Sequence, residues 1–157
     1  MKFEVRKITD PADPVLEIVT KWICDWWGPE QDPDQMMDYY KRSVFEERLP
    51  HTYVGYADGI PVGTFQFGMG DIFVRPDLYP WLKNVCVAPE FRGKGYACEM
   101  MKYASDQIRN MHFDVFYLFT HLEGFYEKFG WEFIETFQGY GDYGVQRMYT
   151  FKKKKRG

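Results

Sequence analysis

Asn84-Val85-Cys86-Val87-Ala88-Pro89-Glu90-Phe91-Arg92-Gly93-Lys94-Gly95-Tyr96-Ala97 decides how this chain of 157 residues is read. A short apolar run, Trp81 to Val87, leads into Pro89 and then into a basic turn spaced by glycines. An amphipathic helix opens straight out of that turn. Gly93 and Gly95 have no Cβ, so the backbone can bend sharply and a ligand can approach it closely. The amide groups of the turn, backed by a helix N-terminus, suit an anion, and Arg92 and Lys94 add positive charge there. The pattern fits a pyrophosphate cradle. Basic glycine turns between strand and helix also occur with no ligand, and this stretch alone leaves both readings open. It is neither a Walker loop, which ends in Gly-Lys-Ser/Thr, nor the three-glycine dinucleotide fingerprint.

Outward from the turn, the chain alternates strand and helix signals. Phe3 to Ile8 alternates apolar and polar residues and predicts a first strand. Asp13-Pro14 starts a helix carrying Val15, Ile18, Val19, Trp22, Ile23 and Trp26, which Gly28-Pro29 ends. Asp32-Pro33 repeats the start signal for a second helix with Met36, Met37, Tyr40 and Val44, stopped by Pro50. Tyr53 to Ala57 and Ile60 to Phe67 flank Asp58-Gly59 and predict a hairpin; residues 68–80 read as a loop.

After the glycine turn, Ala97, Met101, Ala104, Ile108 and Met111 share one helix face. Glu99, Lys102, Asp106 and Arg109 share the opposite one as charge pairs. Val115 to Thr120 is apolar on both faces, as a central strand should be. Leu122 to Phe129 predicts a short helix closed by Gly130. Trp131 to Phe137 and Arg147 to Lys152 predict two antiparallel strands around a glycine-rich loop. The expected architecture is α+β, in a single domain over residues 1–157 with a basic tail at 152–157.

Composition excludes several classes. A single domain of this length buries roughly 70% of its unfolded surface without disulfides or metals. Aromatic residues make up 20% of the chain, so core and pocket alike should be lined by rings. A net charge of −3 argues against nonspecific nucleic-acid binding. Cys24, Cys86 and Cys98 are odd in number, lack metal-ligand spacing and sit in apolar patterns. They read as reduced packing residues of a cytoplasmic protein. No apolar run reaches membrane-spanning length, and nothing at the N-terminus reads as a signal peptide.

Two motifs carry a family resemblance. Arg92-Gly93-Lys94-Gly95-Tyr96-Ala97, with its Val87-Ala88-Pro89-Glu90-Phe91 lead-in, resembles the central Arg/Gln-x-x-Gly-x-Gly/Ala motif of the GNAT acyl-CoA N-acyltransferases. Phe125-Tyr126-Glu127-Lys128-Phe129-Gly130-Trp131 resembles a second signature, Phe-Tyr-x-Lys-x-Gly-Phe. The order of elements matches from Phe3 to about Phe151. The resemblance implies a single-domain GNAT fold: a mixed, mostly antiparallel sheet splayed between its fourth and fifth strands and flanked by helices. It implies acetyl-CoA as cosubstrate, no metal, and transfer of acetyl to a primary amine by direct attack through a tetrahedral intermediate.

Residue by residue, the resemblance places the pyrophosphate on Arg92, Gly93, Lys94, Gly95, Tyr96 and Ala97. It places the pantetheine arm along the main chain of Val85, Cys86 and Val87, like an added strand. A bulge near Lys83–Val85 is expected to separate the strands. Tyr126 is the implied general acid for the departing thiolate. Family members often carry a glutamate base on the fourth or fifth strand, and neither strand here has one. Asp71 is the candidate base, with His121 and Glu123 as weaker options and water as another.

Trp26, Trp27, Tyr39 and Tyr40 are candidates to line the acceptor pocket, with His121 at its edge and Asp25, Glu30 or Asp71 to attract a cation. Helically spaced aromatics are more often core than substrate cage. The loop Asp71 to Trp81 resembles that of bacterial-type members of unassigned substrate. A peptide acceptor and a noncatalytic acyl-CoA-binding module are the alternatives. A homodimer through late strands would use Tyr140, Tyr143 and Met148. Neither nucleic acid nor membrane is an expected partner, and the Lys152 to Arg156 run reads as solvated.

Overall fold

Seven strands and three helices follow one another in the computed structural model, which describes residues 1–72, 75–139 and 143–153. They are β1 (Phe3–Lys7), α1 (Val15–Trp27), α2 (Pro33–Lys41), β2 (His51–Ala57), β3 (Ile60–Gly68), β4 (Trp81–Val87), α3 (Tyr96–Asn110), β5 (Val115–Thr120), β6 (Glu132–Gln138) and β7 (Val145–Lys152). The strand order is β1-β2-β3-β4-β5-β7-β6, mixed but mostly antiparallel, with β4 and β5 parallel. The chain forms two compact units: residues 1–67 with 84–103, and residues 68–83 with 104–157. Both β4 and α3 contribute residues to each.

In the first unit, Asp13 Oδ1 accepts from Val15 N (2.9 Å) and starts α1. Val15, Leu16, Val19 and Ile23 form its buried stripe and pack with Ile8, Tyr40, Val54 and Cys86. Ile18 and Trp26, expected on that stripe, are exposed: Ile18 lies on its flank and Trp26 stands in the last turn. Asp32 Oδ1 caps α2, accepting from Asp34 N (2.9 Å) and Gln35 N (3.3 Å). That helix ends at Lys41, well short of Pro50, and so excludes Val44. The reason is Ser43, whose hydroxyl donates to Tyr39 O (2.6 Å) while its amide donates to Tyr40 O (3.1 Å). Asp58 (φ 50°) and Gly59 (φ 81°) make the tight turn between β2 and β3. Gly63 on β3 allows a close approach, since a Cβ there would stand 2.7 Å from Cys86 O.

In the second unit, β7 lies between β5 and β6 and pairs antiparallel with both. Trp81, fully buried, donates Nε1–H to Leu78 O (2.6 Å) and stands opposite Tyr117 of β5. The predicted helix over Leu122 to Phe129 shrinks to one 3₁₀ turn, Tyr126–Phe129. Gly124 at φ 81° interrupts any longer helix, and Gly130 at φ 94° closes the turn as expected. Met148 is 1% exposed, because it faces the Ile72–Trp81 cluster, so it offers no surface for a dimer contact. Tyr143 is half-exposed, and Tyr140 lies outside the described residues. The basic run begins inside the fold: β7 includes Lys152, and Lys153 N donates to Asp114 O (2.9 Å). Residues 154–157 lie outside the described residues.

Candidate active site

The glycine turn is built as its residue types dictate. After β4 a 3₁₀ turn (Pro89–Phe91) redirects the chain, and Arg92 to Gly95 then deliver it into α3. Gly93 and Gly95 sit at φ 80° and 83°, where a side chain is strained, and an added Cβ at either would point into open space. Their backbone face is therefore bare and reachable. Arg92 Nε donates to Val87 O (3.1 Å), and its guanidinium lies 5.2 Å from the ring centre of Trp26. Lys94 is exposed, its ammonium 6.0 Å from the Phe91 ring.

Upstream of the turn, β4 changes phase at Asn84. This residue has φ 55°, a left-handed conformation inside a strand. Trp81 and Leu82 are buried side by side, Lys83 to Val85 are all half-buried, and alternation resumes with Cys86 buried, Val87 half-buried and Ala88 buried. The break falls where a bulge was expected. Asn84 Nδ2 donates to the Tyr40 hydroxyl (3.2 Å) and to Gln66 Oε1 (3.3 Å). Gln66 is fully buried; it accepts from Tyr39 OH (2.8 Å) and donates to Thr52 Oγ1 (3.1 Å).

In the second unit, Asp71 lies in the loop before β4 with its side chain 17% exposed, and Lys83 Nζ stands 3.8 Å from its Oδ1. Lys83 also donates to Gly70 O (2.9 Å). Burial raises the Asp71 carboxyl to about 6 although Lys83 pulls the other way. Tyr126 is buried among Phe125, Trp131 and Tyr149, with ring centres 5.0, 6.5 and 6.3 Å away, and burial pushes its phenol up. Phe125 and Phe129, four residues apart, are half-buried and pack edge to face on each other.

A family model described as the acetyltransferase (GNAT) family matches residues 16–131, a span holding both the glycine turn and Tyr126. The chain belongs to that family. It is an acetyl-CoA-dependent N-acetyltransferase, with acetyl-CoA as cosubstrate. No curated protein matches the sequence. Among solved structures, a GNAT family acetyltransferase from Elizabethkingia anophelis with acetyl-CoA bound shares the fold at a TM-score of 0.68 and 13% identity, over 96% of this chain and 98% of that one. A spermidine N-acetyltransferase chimera of SpeG from Vibrio cholerae and hSSAT gives a TM-score of 0.72 at 15% identity, over 97% and 96% of the two chains. The NatC complex bound to Gag peptide and CoA gives 0.70 at 16% identity, over 98% and 100%. These likenesses establish the GNAT fold. They leave the acceptor open, since a spermidine enzyme and a peptide-bound complex resemble the chain equally.

The GNAT donor would need a bare, cation-flanked turn, and the residues present fit it: Gly93 and Gly95 keep their backbone face open, and Arg92 and Lys94 are exposed beside it. The side chains of Tyr96 and Cys86 pack inward and leave only their main chain for a ligand. Tyr96 is 7% exposed and stacks on Phe3 at 5.6 Å; Cys86 is buried, and burial pushes its thiol up to about 11. The aromatic residues proposed for the acceptor side scatter. Trp26 meets Arg92 at the donor turn, Trp27 packs half-buried on the core, and Tyr40 is 1% exposed beneath Asn84. His121 is exposed after β5, and Glu123 pairs with Arg147 (3.1 Å). Sequence reading missed Gln66 and Lys83. The signal for Gln66 was a lone amide between Phe65 and Phe67. Among the described residues no cluster of His, Cys, Asp and Glu could hold a metal ion, and no helix is long and apolar enough to cross a membrane.

Proposed function

We propose that residues 1–157 act as one catalytic domain that acetylates the primary amine of a small cationic molecule. The observation carrying the acceptor class is charge. Residues 21–42 carry Asp25, Glu30, Asp32, Asp34 and Asp38 against Lys21, Lys41 and Arg42, and since Lys21 pairs with Asp25 (2.6 Å) the excess negative charge lies on residues 30–38. The segment starts beside the donor turn, where Trp26 meets Arg92. A cationic amine is drawn to such a segment and an anionic acceptor repelled.

In this reading the amides of Gly93 to Ala97 hold the pyrophosphate, with Arg92 and Lys94 beside it, and the main chain of Val85 and Val87 aligns the pantetheine arm. Acetyl-CoA supplies the thioester carbonyl. Asp71 takes a proton from the amine, whose nitrogen bonds to that carbonyl carbon to give a tetrahedral intermediate, and the collapse of that intermediate breaks the C–S bond. Tyr126 gives its proton to the departing sulfur. A carboxylate near 6 is largely ionised at neutral pH yet basic enough to hold a proton, which suits a general base.

An amine panel with acetyl-CoA and a thiol-release readout tests the acceptor. Polyamines and other small cationic amines should outpace acidic amino acids and peptide N-termini. Turnover confined to peptides would select the peptide reading; tight CoA binding without release on any amine would make the chain a binding module. The donor turn has its own test. Gly95→Val forces a β-branched residue to φ 83° and puts its side chain into the cradle, and should weaken acetyl-CoA binding about tenfold or more by calorimetry. Unchanged affinity would remove the pyrophosphate from this turn.

A further inference from the structure

The geometry points to Tyr40 and Gln66 as positioning residues for the acyl donor: they hold the Asn84 side chain and thereby fix the left-handed break that aims the main chain of Val85 and Val87. This rests on the reading that the pantetheine arm lies along those two residues. A left-handed residue inside a strand leaves one residue unpaired and twists the strand after it, so its conformation sets where the next peptide groups point. Asparagine tolerates that conformation without enforcing it. Enforcement here comes from outside the strand. Asn84 Nδ2 is shared between the Tyr40 hydroxyl at 3.2 Å and Gln66 Oε1 at 3.3 Å.

Both anchors are themselves fixed. Tyr40 is 1% exposed in the α1–α2 core cluster, and Gln66 is fully buried with Tyr39 OH on its oxygen and Thr52 Oγ1 on its nitrogen. Gly63, on the same strand as Gln66, lets the β4 backbone at Cys86 approach with no room for a methyl group, which closes β4 in from that side. The side chain of residue 84 is therefore held by groups 44 and 18 residues away in sequence, and rotation of its backbone out of φ 55° would break both bonds. Tyr40 thus acts on the donor through Asn84 and never touches it.

Calorimetric titration of acetyl-CoA into five proteins tests this: wild type, Asn84→Val, Asn84→Gly, Tyr40→Phe and the double variant Tyr40→Phe/Asn84→Gly. Asn84→Val, which resists the left-handed region, should weaken binding about tenfold or more; Asn84→Gly, which accepts it freely, should stay within about threefold. Tyr40→Phe keeps the buried ring and should cost about fivefold in affinity, with kcat at saturating acetyl-CoA unchanged. In the Asn84→Gly background the same change should cost nothing further, because there is no side chain left to hold. Equal losses in the two backgrounds, or a loss of thermal stability with wild-type affinity, would make Tyr40 a packing residue and overturn the proposal. If Asn84→Val keeps wild-type affinity while Gly95→Val loses it, the arm does not follow β4. If the wild type itself fails to bind, the donor site as a whole is misplaced.

Discussion

Tyr126→Phe is expected to lower turnover by about 10²-fold or more while leaving acetyl-CoA affinity near that of the wild type. The substitution removes one oxygen from a buried ring and keeps the packing on Phe125, Trp131 and Tyr149. The thermal midpoint should therefore move little. Burial pushes the phenol above its ordinary range, so Tyr126 holds its proton throughout the neutral region and is available as a donor. For the same reason its ionisation should add no basic limb to the pH–rate profile below about pH 10. Transfer from this raised phenol to a thiolate of ordinary pKa about 8.5 is uphill by itself, so the step runs forward only as the thiol leaves and solvent, at pH 7, returns a proton to the phenolate. Steady-state kcat with the best amine, read beside calorimetric acetyl-CoA affinity, separates the outcomes. Unchanged kcat would give the proton to solvent and leave Tyr126 as a packing residue.

The parts of the molecule legible in the sequence are those fixed by chemistry within a few residues. The Asp13 and Asp32 starts, the Asp58-Gly59 hairpin, the Gly130 cap and the glycine turn each depend on neighbours in the chain. The misses have physical causes at longer range or finer scale. Ser43 ends α2 by taking the Tyr39 carbonyl, a competition that apolar spacing through Val44 does not reveal. Gly124 shortens a helix whose apolar residues looked sufficient. Trp26 and Tyr40 occupy similar helical positions, yet one meets a cation at the donor turn and the other supports a strand kink, because their partners Arg92 and Asn84 are distant in sequence. Asp71 could be chosen as a base by elimination alone. Its burial and its lysine partner became visible only when β4 placed Lys83 beside it.

That burial makes Asp71 the second residue with a large expected effect, and one whose two consequences run in opposite directions. Asp71→Asn should lower kcat/KM by about 10²-fold at pH 7 while making the protein more stable at that pH. The carboxyl is raised from 3.8 to about 6 in the folded chain, mainly by desolvation. A group raised on folding contributes stability that is fully present below its unfolded value and is lost as pH climbs through the folded one. Wild type should therefore lose about 3 kcal/mol of stability between roughly pH 4 and pH 7 through this residue, a loss the asparagine variant escapes. Denaturant midpoints at the two pH values measure the difference directly. In kinetics, the wild-type kcat/KM should rise with pH through about 6 and the variant should lack that limb. A structural aspartate predicts a different pattern: removing it would destabilise the fold at pH 7 and leave the acid limb in place. A carboxylate held buried at a cost to the fold, with a lysine 3.8 Å away that only partly offsets the desolvation, is what a base kept for catalysis should look like.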